Sequence, residues 1–294
     1  MDVGLGLPNT VPGTDGDDLT EFARRGESAG FASLGTLDRL VYPGLEPLVS
    51  LAAAAAVTER IPLRTTVLLA PYRLNAALLA KEAASVHRIS GGRLTLGLGL
   101  GWREDDYEAS GAKYSQRGAK LDEMLPEIER VWSGHEYGVA GGIGPEVQSD
   151  PPGLLLGGSA DVAFERAARY GVGWILGGGT PAQFKEGRDK LDEAWSAEGR
   201  DGEPVGMALA YFSLGDRGEE NARSYLGHYY AAMGEETANQ IIASAATDED
   251  TVRGYIQAFE EAGCDELLLF PCSSDPEQAE LLASAALKET AAAG

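Results

Sequence analysis

Two short segments of this 294-residue sequence combine glycine with a hydroxyl side chain, directly after an apolar run and before a helical pattern. They are Gly157-Gly158-Ser159 and Gly177-Gly178-Gly179-Thr180. The free N–H groups and the dipole at a helix N-terminus favour an anion. Both segments are therefore candidate phosphate sites. The alternative is that each is an ordinary turn closed by an N-capping residue.

Other residues with useful chemistry follow further apolar runs. Asp38 and Arg39 follow the second run, and Gly101 and Trp102 follow the fourth. Trp102 suits either stacking on a planar ring or anchoring the core. His228, which precedes two tyrosines, is a candidate proton carrier because the ordinary pKa of histidine lies near neutral pH.

No spacing in the sequence resembles a metal site, a nucleophile elbow or a Walker loop. If this chain is an enzyme, a bound cofactor must therefore supply its reactive group. The formal net charge of −22 disfavours nucleic acid, because there is no excess of Lys and Arg to displace phosphate counterions. It also disfavours an anionic membrane surface. No apolar run approaches the length of a membrane span, and the start of the sequence lacks the basic segment of a signal peptide.

The sequence contains two cysteines, Cys264 and Cys272, on either side of an apolar run. Two cysteines in a chain of this size make no disulfide framework. We therefore expect both thiols to be buried and reduced, and the protein to be cytoplasmic.

Glycines alternate along the first and fourth apolar runs, at Gly4, Gly6, Gly97 and Gly99. Successive residues of a strand point to opposite faces, so one face of each strand lacks side chains. This leaves room either for a flat ring system at the mouth of a barrel or for tight packing inside it.

Short apolar runs alternate with amphipathic helical patterns along the sequence, which predicts a parallel sheet built from βα units. The eight predicted strands cover residues 3–7, 32–37, 63–70, 94–100, 154–156, 174–176, 207–213 and 267–270. Residues 133–152 are expected to form a loop, and residues 217–246 extra helices. We predict one α/β domain over residues 1–294, a (β/α)₈ (TIM) barrel with additions after strands four and seven. An open doubly wound sheet is the alternative.

Several predicted helix ends carry capping residues. Gly30 is expected to end the first helix, and Asn75 is expected to cap the third. Residues 180–183 have the spacing of a capping box, and residues 275–278 predict the same start for the last helix.

Several motifs occur together along nearly the whole chain. They are Leu79-Ala80-Lys81-Glu82-Ala83-Ala84, Arg88-Ile89-Ser90-Gly91-Gly92-Arg93-Leu94 and Gly97-Leu98-Gly99-Leu100-Gly101-Trp102, the last followed by Glu104 and Tyr107. Gly30-Phe31-Ala32-Ser33-Leu34 and Gly157-Gly158-Ser159 belong to the same set. With these motifs in this order, the sequence resembles the bacterial luciferase-like monooxygenases, a family of flavin- and deazaflavin-dependent oxidoreductases.

The resemblance implies a barrel that binds reduced FMN or, in a large branch of the family, the deazaflavin coenzyme F-420. In relatives the loops after strands four to six hold the flavin phosphate, which assigns it here to Gly158 and Ser159, with Gly178 and Thr180. The implied partners are a small-molecule substrate and a separate flavin reductase. Relatives are often oligomeric, so we also expect a homo-oligomer.

In the same family a bulged third strand, often with a non-prolyl cis peptide, supports the flavin ring. Its counterpart in this sequence falls near Val67, Leu68 and Leu69. Gly101 and Trp102, at the exit of strand four, complete the expected cofactor site together with Gly157.

The sequence departs from the family after strand two, where many relatives carry an acidic residue followed by histidine. Here Asp38 is followed by Arg39, which stays protonated at any relevant pH and so is no acid or base. Arg39 is instead a candidate for holding an anionic substrate group or for stabilising a flavin peroxide. Gly35 stands where a Trp is common, which enlarges the expected pocket. The catalytic candidates are thus Arg39, Asp38 and His228.

The sequence is compatible with three functions. The first is a monooxygenase that uses FMNH₂ and O₂ through a C4a-peroxyflavin held in a dry pocket. The second is hydride transfer from reduced F-420. The third is a non-catalytic flavin-binding relative, because a fold can persist after its activity is lost.

Overall fold

The computed structural model describes residues 1–287, and its strands close into a parallel barrel. The strands are β1 (Asp2–Gly6), β2 (Leu34–Thr36), β3 (Leu63–Thr65), β4 (Leu68–Leu69), β5 (Leu94–Gly99), β6 (Gly153–Gly157), β7 (Gly173–Leu176), β8 (Val205–Phe212) and β9 (Glu266–Pro271). The order is β3-β2-β1-β9-β8-β7-β6-β5-β4, and pairing of β3 with β5 closes the ring. Since β3 and β4 both pair with β5, they are two parts of one barrel strand. The predicted eight-stranded barrel is confirmed, and the open sheet is wrong.

Helices surround the barrel. They are α1 (Gly16–Ala29), α2 (Pro47–Val57), α3 (Ala76–Ile89), α4 (Glu104–Ser110), α5 (Arg117–Trp132), α6 (Asp161–Tyr170), α7 (Pro181–Ala197), α8 (Gly218–Tyr229), α9 (Glu235–Ala243), α10 (Glu249–Glu261) and α11 (Glu277–Ala286). The additions expected after barrel strands four and seven are α4 and the pair α8 and α9. The segment between α5 and β6 holds a short 3₁₀ turn, Gly138–Ala140, in an otherwise irregular loop.

Three of the four predicted helix ends are confirmed. Gly30 adopts a φ of 89° at the end of α1, and Asn75 accepts a hydrogen bond from Leu78 N at 3.0 Å. Thr180 and Gln183 form a complete capping box at α7. The start of α11 is confirmed in part. Pro276 has helical dihedral angles, φ −61° and ψ −16°, and the Asp275 carboxylate before it accepts from Glu277 N at 3.0 Å, as an N-cap does. Gln278 does not complete a capping box, because its side chain bonds to the backbone of Leu214.

The alternating glycines serve tight packing between strands. A Cβ atom on Gly97 would lie 2.0 Å from the carbonyl oxygen of Thr65, and one on Gly99 would lie 2.4 Å from Val67 Cγ2. A Cβ on Gly6 would meet the ring of Phe270 at 2.3 Å. Neighbouring strands therefore fill the space that the missing side chains leave, and Gly99 also lines the cavity described below.

Both cysteines are free and buried. Burial raises the pKa of the Cys264 thiol to about 12, and burial also raises the pKa of the Cys272 thiol. Within residues 1–287, no helix is both long and apolar enough to cross a membrane, and no group of His, Cys, Asp and Glu side chains suits a metal ion.

Candidate functional site

A cavity of about 470 Å³ opens where the barrel strands end at their carboxyl sides. This is the position at which barrels of this type carry their ligands. Most residues that the sequence suggested for the site lie on its wall: Asp38, Arg39, Val67, Leu69, Gly101, Trp102, Gly157, Gly158, Ser159 and Gly178. The strand exits therefore converge on one site.

Three of the suggested residues do not reach the cavity wall. Leu68 is completely buried in the core cluster of the barrel. Thr180 is exposed and occupied as the N-cap of α7. His228 is also exposed, and its Nδ1 lies 3.0 Å from the hydroxyl of Tyr42.

Asp38, on the cavity wall, is held by three donors. Its carboxylate accepts from Leu69 N at 2.8 Å, from the Tyr72 hydroxyl at 2.5 Å and from Arg73 at 3.3 Å. These bonds tie the exit of β2 to β4 and to the turn that follows it. The carboxylate thus positions the third barrel strand, and its acceptor capacity is largely used for that purpose.

Arg39 lies beside Asp38 but has different partners. Its Nη1 donates to Asp106 at 2.9 Å, and its guanidinium carbon lies 4.5 Å from the centre of the Trp102 ring and 5.4 Å from that of Tyr229. Its Nε has no partner among the described residues. Cation–π contacts and a buried carboxylate therefore fix this cation on the cavity wall.

The third barrel strand bends between β3 and β4. The peptide bond between Thr66 and Val67 is cis, and both residues line the cavity. The Val67 side chain packs against the space above Gly99 and lies 3.2 Å from the position of a Cβ on Gly157. The bend that the family resemblance implied is therefore present at this point of the chain.

The two glycine-rich loops differ in how their helices begin. Thr180 and Gln183 satisfy the first turn of α7, whereas Ala160 precedes α6 and no side chain caps that helix. Gly158 has a φ of 139°, and its carbonyl oxygen accepts a hydrogen bond from Trp174 Nε1 at 2.7 Å. The N-terminus of α6, next to Ser159, is consequently the one with free donors for an anion.

Arg117 is a wall residue that the sequence reasoning missed. It is the first residue of α5, and its guanidinium carbon lies 3.8 Å from the centre of the Tyr114 ring. Its Nη1 donates to the carbonyl oxygen of Tyr114 at 3.0 Å, but across residues 1–287 no carboxylate pairs with it and its Nε has no hydrogen-bond partner. A cation in the first helical turn opposes the helix dipole. This unfavourable placement is the sequence signal that points to an anionic ligand.

A second arginine on the wall is already neutralised. Arg166 donates to both carboxylate oxygens of Asp122, at 2.6 and 2.9 Å, and its Nη2 donates to the carbonyl oxygen of Gly118 at 3.3 Å. The ion pair links α6 to α5, so it positions the elements that carry Ser159 and Arg117. Arg117 is thus the cation at this end of the cavity whose charge no carboxylate among the described residues balances.

The other end of the cavity is aromatic. Trp102, Tyr211, Tyr229 and Tyr230 line it, and the ring planes of Trp102 and Tyr230 are within 11° of parallel at 6.4 Å between centres. Trp102 therefore walls the pocket. Burial raises the pKa of Tyr229, and the phenol stays neutral at ordinary pH.

A family model described as luciferase-like monooxygenase matches residues 1–279. The chain belongs to this family. The uncharacterized protein Rv0953c of Mycobacterium tuberculosis (strain ATCC 25618 / H37Rv) is 30% identical over 219 residues, which cover 64% of this chain and 76% of that protein. Pyrimidine monooxygenase RutA of Escherichia coli (strain SMS-3-5 / SECEC) is 28% identical over 220 residues, 69% of this chain and 59% of RutA.

Solved structures of similar fold include oxidoreductases of two kinds. Monooxygenase RslO1 from Streptomyces bottropensis superposes with a TM-score of 0.77 at 22% identity, over 97% of this chain and 98% of RslO1. An F420-dependent secondary alcohol dehydrogenase, in complex with an F420-acetone adduct, gives a TM-score of 0.78 at 18% identity over 97% of both chains. The chain is therefore an enzyme of the luciferase-like oxidoreductase family, which includes both monooxygenases and F420-dependent enzymes.

Proposed function

We propose that this enzyme binds reduced FMN, delivered by a separate flavin reductase, and uses O₂ to oxygenate a small organic substrate. The observation that carries the proposal is the unpaired Arg117 on the same cavity wall as Ser159 and the uncapped start of α6. A phosphate group satisfies an uncapped helix N-terminus and an unpaired arginine together.

The residues of the cavity fit a flavin at both ends. Ser159, Arg117 and the first N–H groups of α6 would hold the phosphate, and Gly158 lets the backbone pass close to it. The bend at Val67 and the ring of Trp102 would bound the isoalloxazine. Reduced FMN, when bound, supplies the electrons for activation of O₂.

The charge balance of the phosphate end favours FMN over F-420. FMN ends at a single phosphate, whereas F-420 carries further carboxylates beyond its phosphate. In a chain with a net charge of −22, the described part of the cavity wall offers one unpaired arginine, because Arg39 and Arg166 are bound to Asp106 and Asp122. One cation suits one phosphate group.

The aromatic end would serve the substrate. Trp102, Tyr211, Tyr229 and Tyr230 give it apolar faces, which exclude water from the reacting atoms. Arg39 would form part of this wall, with its charge balanced by Asp106. Asp38 acts through the strand that it holds and does not need to contact the substrate.

Ligand titration tests the cofactor. Fluorescence quenching should show FMN binding with a dissociation constant below about 100 μM, and binding of F-420 should be at least tenfold weaker, about 1.4 kcal/mol. Tighter binding of F-420 than of FMN would replace the proposal with hydride transfer. If neither ligand binds, the cofactor assignment is wrong.

The reaction with oxygen tests the activity. The reduced FMN complex is prepared anaerobically and mixed with O₂ in a stopped-flow instrument. A monooxygenase of this kind should control flavin reoxidation, so that its rate differs from that of free reduced FMN. Identical rates would contradict the use of O₂ at this site.

A further inference from the structure

Two tyrosines on the cavity wall share a hydrogen bond. The hydroxyl oxygens of Tyr211 and Tyr230 lie 2.7 Å apart, and both residues line the aromatic end of the cavity. Tyr211 stands near the carboxyl end of β8, where it is paired with Phe270 of β9. Tyr230 follows α8 directly. A barrel strand and an added helix thus bring the two phenols together.

The pair has one hydrogen more than its mutual bond uses. Two hydroxyls carry two hydrogens, and a single bond between them consumes one. Within residues 1–287 neither hydroxyl has another hydrogen-bond partner. The hydrogen of the accepting phenol is therefore left for a group inside the cavity.

Burial keeps both phenols protonated. It raises the pKa of Tyr211 well above its ordinary value, and it also raises the pKa of Tyr230. A phenol of this kind holds its proton over the working pH range. It therefore acts as a hydrogen-bond donor that stabilises charge on an oxygen atom, without transferring the proton.

We propose that the Tyr211–Tyr230 pair donates a hydrogen bond to an oxygen atom of a planar substrate: a carbonyl, enolate or phenolate oxygen. Trp102, Tyr229 and Tyr230 line this end of the cavity and offer aromatic surface to a flat molecule. This inference rests on the proposed function in so far as the same cavity also holds the flavin.

A second buried pair provides a matched control. Thr10 and Tyr225 share a hydrogen bond of 2.6 Å, and Tyr225 is as deeply buried as Tyr211 but does not line the cavity. Tyr225→Phe removes the same atom from the same kind of environment. It should not change binding inside the cavity.

The probe is 4-nitrophenolate, a planar ring whose anionic oxygen accepts hydrogen bonds and whose absorbance reports its surroundings. The wild type, Tyr211→Phe, Tyr230→Phe, the double variant and Tyr225→Phe are titrated with it, without FMN and with FMN. The double variant should bind about tenfold more weakly or worse, because a hydrogen bond to a charged group is lost. The more affected single variant identifies the phenol that faces the ligand.

The outcomes separate this inference from the cofactor assignment. Circular dichroism spectra that match the wild type establish that each variant is folded. If the wild type does not bind 4-nitrophenolate, or if the double variant binds it within twofold of the wild type, the tyrosine pair is not a donor to ligands. If FMN fails to bind but the tyrosine dependence is seen, the proposed cofactor is wrong and the donor site stands.

Discussion

Arg39 donates a hydrogen bond of 2.9 Å to Asp106, and the two side chains are only 4% and 0% exposed. The other oxygen of Asp106 accepts from the N–H groups of Leu40 and Val41 at 3.1 and 2.8 Å. One carboxylate on α4 therefore fixes both the backbone after β2 and the cation that this backbone carries. The short helix α4 thus has a structural role at the cavity.

Removal of the carboxylate should destabilise the fold. Asp106→Ala leaves Arg39 buried without a counter-ion, so we expect the free energy of unfolding to fall by about 3–5 kcal/mol. Urea denaturation followed by circular dichroism measures this change. The neighbouring Asp105→Ala removes an ion pair with Arg103 whose carboxylate is 40% exposed, and should cost about 1 kcal/mol. Equal losses in the two variants would show that the buried Arg39–Asp106 pair contributes no more to the free energy of unfolding than the Arg103–Asp105 pair does.

Arg117 should contribute to the binding of FMN but not of riboflavin, which lacks the phosphate. Arg117→Gln should weaken FMN binding by about 2 kcal/mol, roughly 30-fold, because a charge-assisted hydrogen bond is lost. Fluorescence titration with both ligands gives the comparison. Arg130, which stacks on Tyr137 and does not line the cavity, is the matched control. An equal loss for riboflavin would show that Arg117 does not contact the phosphate.

The fold was predictable from local patterns, whereas much of the site depends on contacts between distant residues. Apolar runs identify the eight barrel strands, and capping residues identify three of the four predicted helix ends in full. In contrast, Arg39 and Asp106 are 67 positions apart and Tyr211 and Tyr230 are 19 apart, so no periodicity brings them together. Leu68 was expected near the flavin ring, but it is buried in the core, because successive side chains of a strand point to opposite faces and its neighbours Val67 and Leu69 are the ones that line the cavity.

The two candidate phosphate loops should respond differently to loss of their hydroxyl groups. Thr180→Ala breaks the capping box of α7 and should lower the free energy of unfolding by about 1 kcal/mol. FMN binding should stay unchanged. Ser159→Ala should have little effect on stability and should weaken FMN binding by roughly 1 kcal/mol, if one neutral hydrogen bond is lost. The reverse pattern would assign the phosphate to α7.

The two buried thiols should react slowly in the native protein. Burial raises the pKa of Cys264 from 9.0 to about 12, so its thiolate fraction near pH 8 is roughly a thousandfold below that of an ordinary cysteine. Ellman's reagent should therefore modify neither thiol in the time in which it modifies both in guanidinium chloride. Rapid modification of the native protein would contradict the burial of these residues.

The raised pKa of Cys264 also predicts how the stability of the protein changes at high pH. The folded chain holds the Cys264 proton more tightly than the unfolded chain does. The stabilisation is complete below about pH 9 and is lost as the pH rises towards 12. Cys264→Ala should reduce the slope of stability against pH in this range. An unchanged slope would show that other groups control it.

Glycine at position 97 should be essential for the close approach of two barrel strands. An added Cβ would lie 2.0 Å from the backbone oxygen of Thr65, and a backbone atom cannot rotate away as a side chain can. We expect Gly97→Ala to lower the free energy of unfolding by about 3 kcal/mol or more. Gly254→Ala, on the exposed face of α10 with no atom within 4 Å of the new Cβ, should instead raise it by up to about 1 kcal/mol. Thermal denaturation of both variants measures the contrast, and an unaffected Gly97→Ala would mean that β3 and β5 are further apart than described.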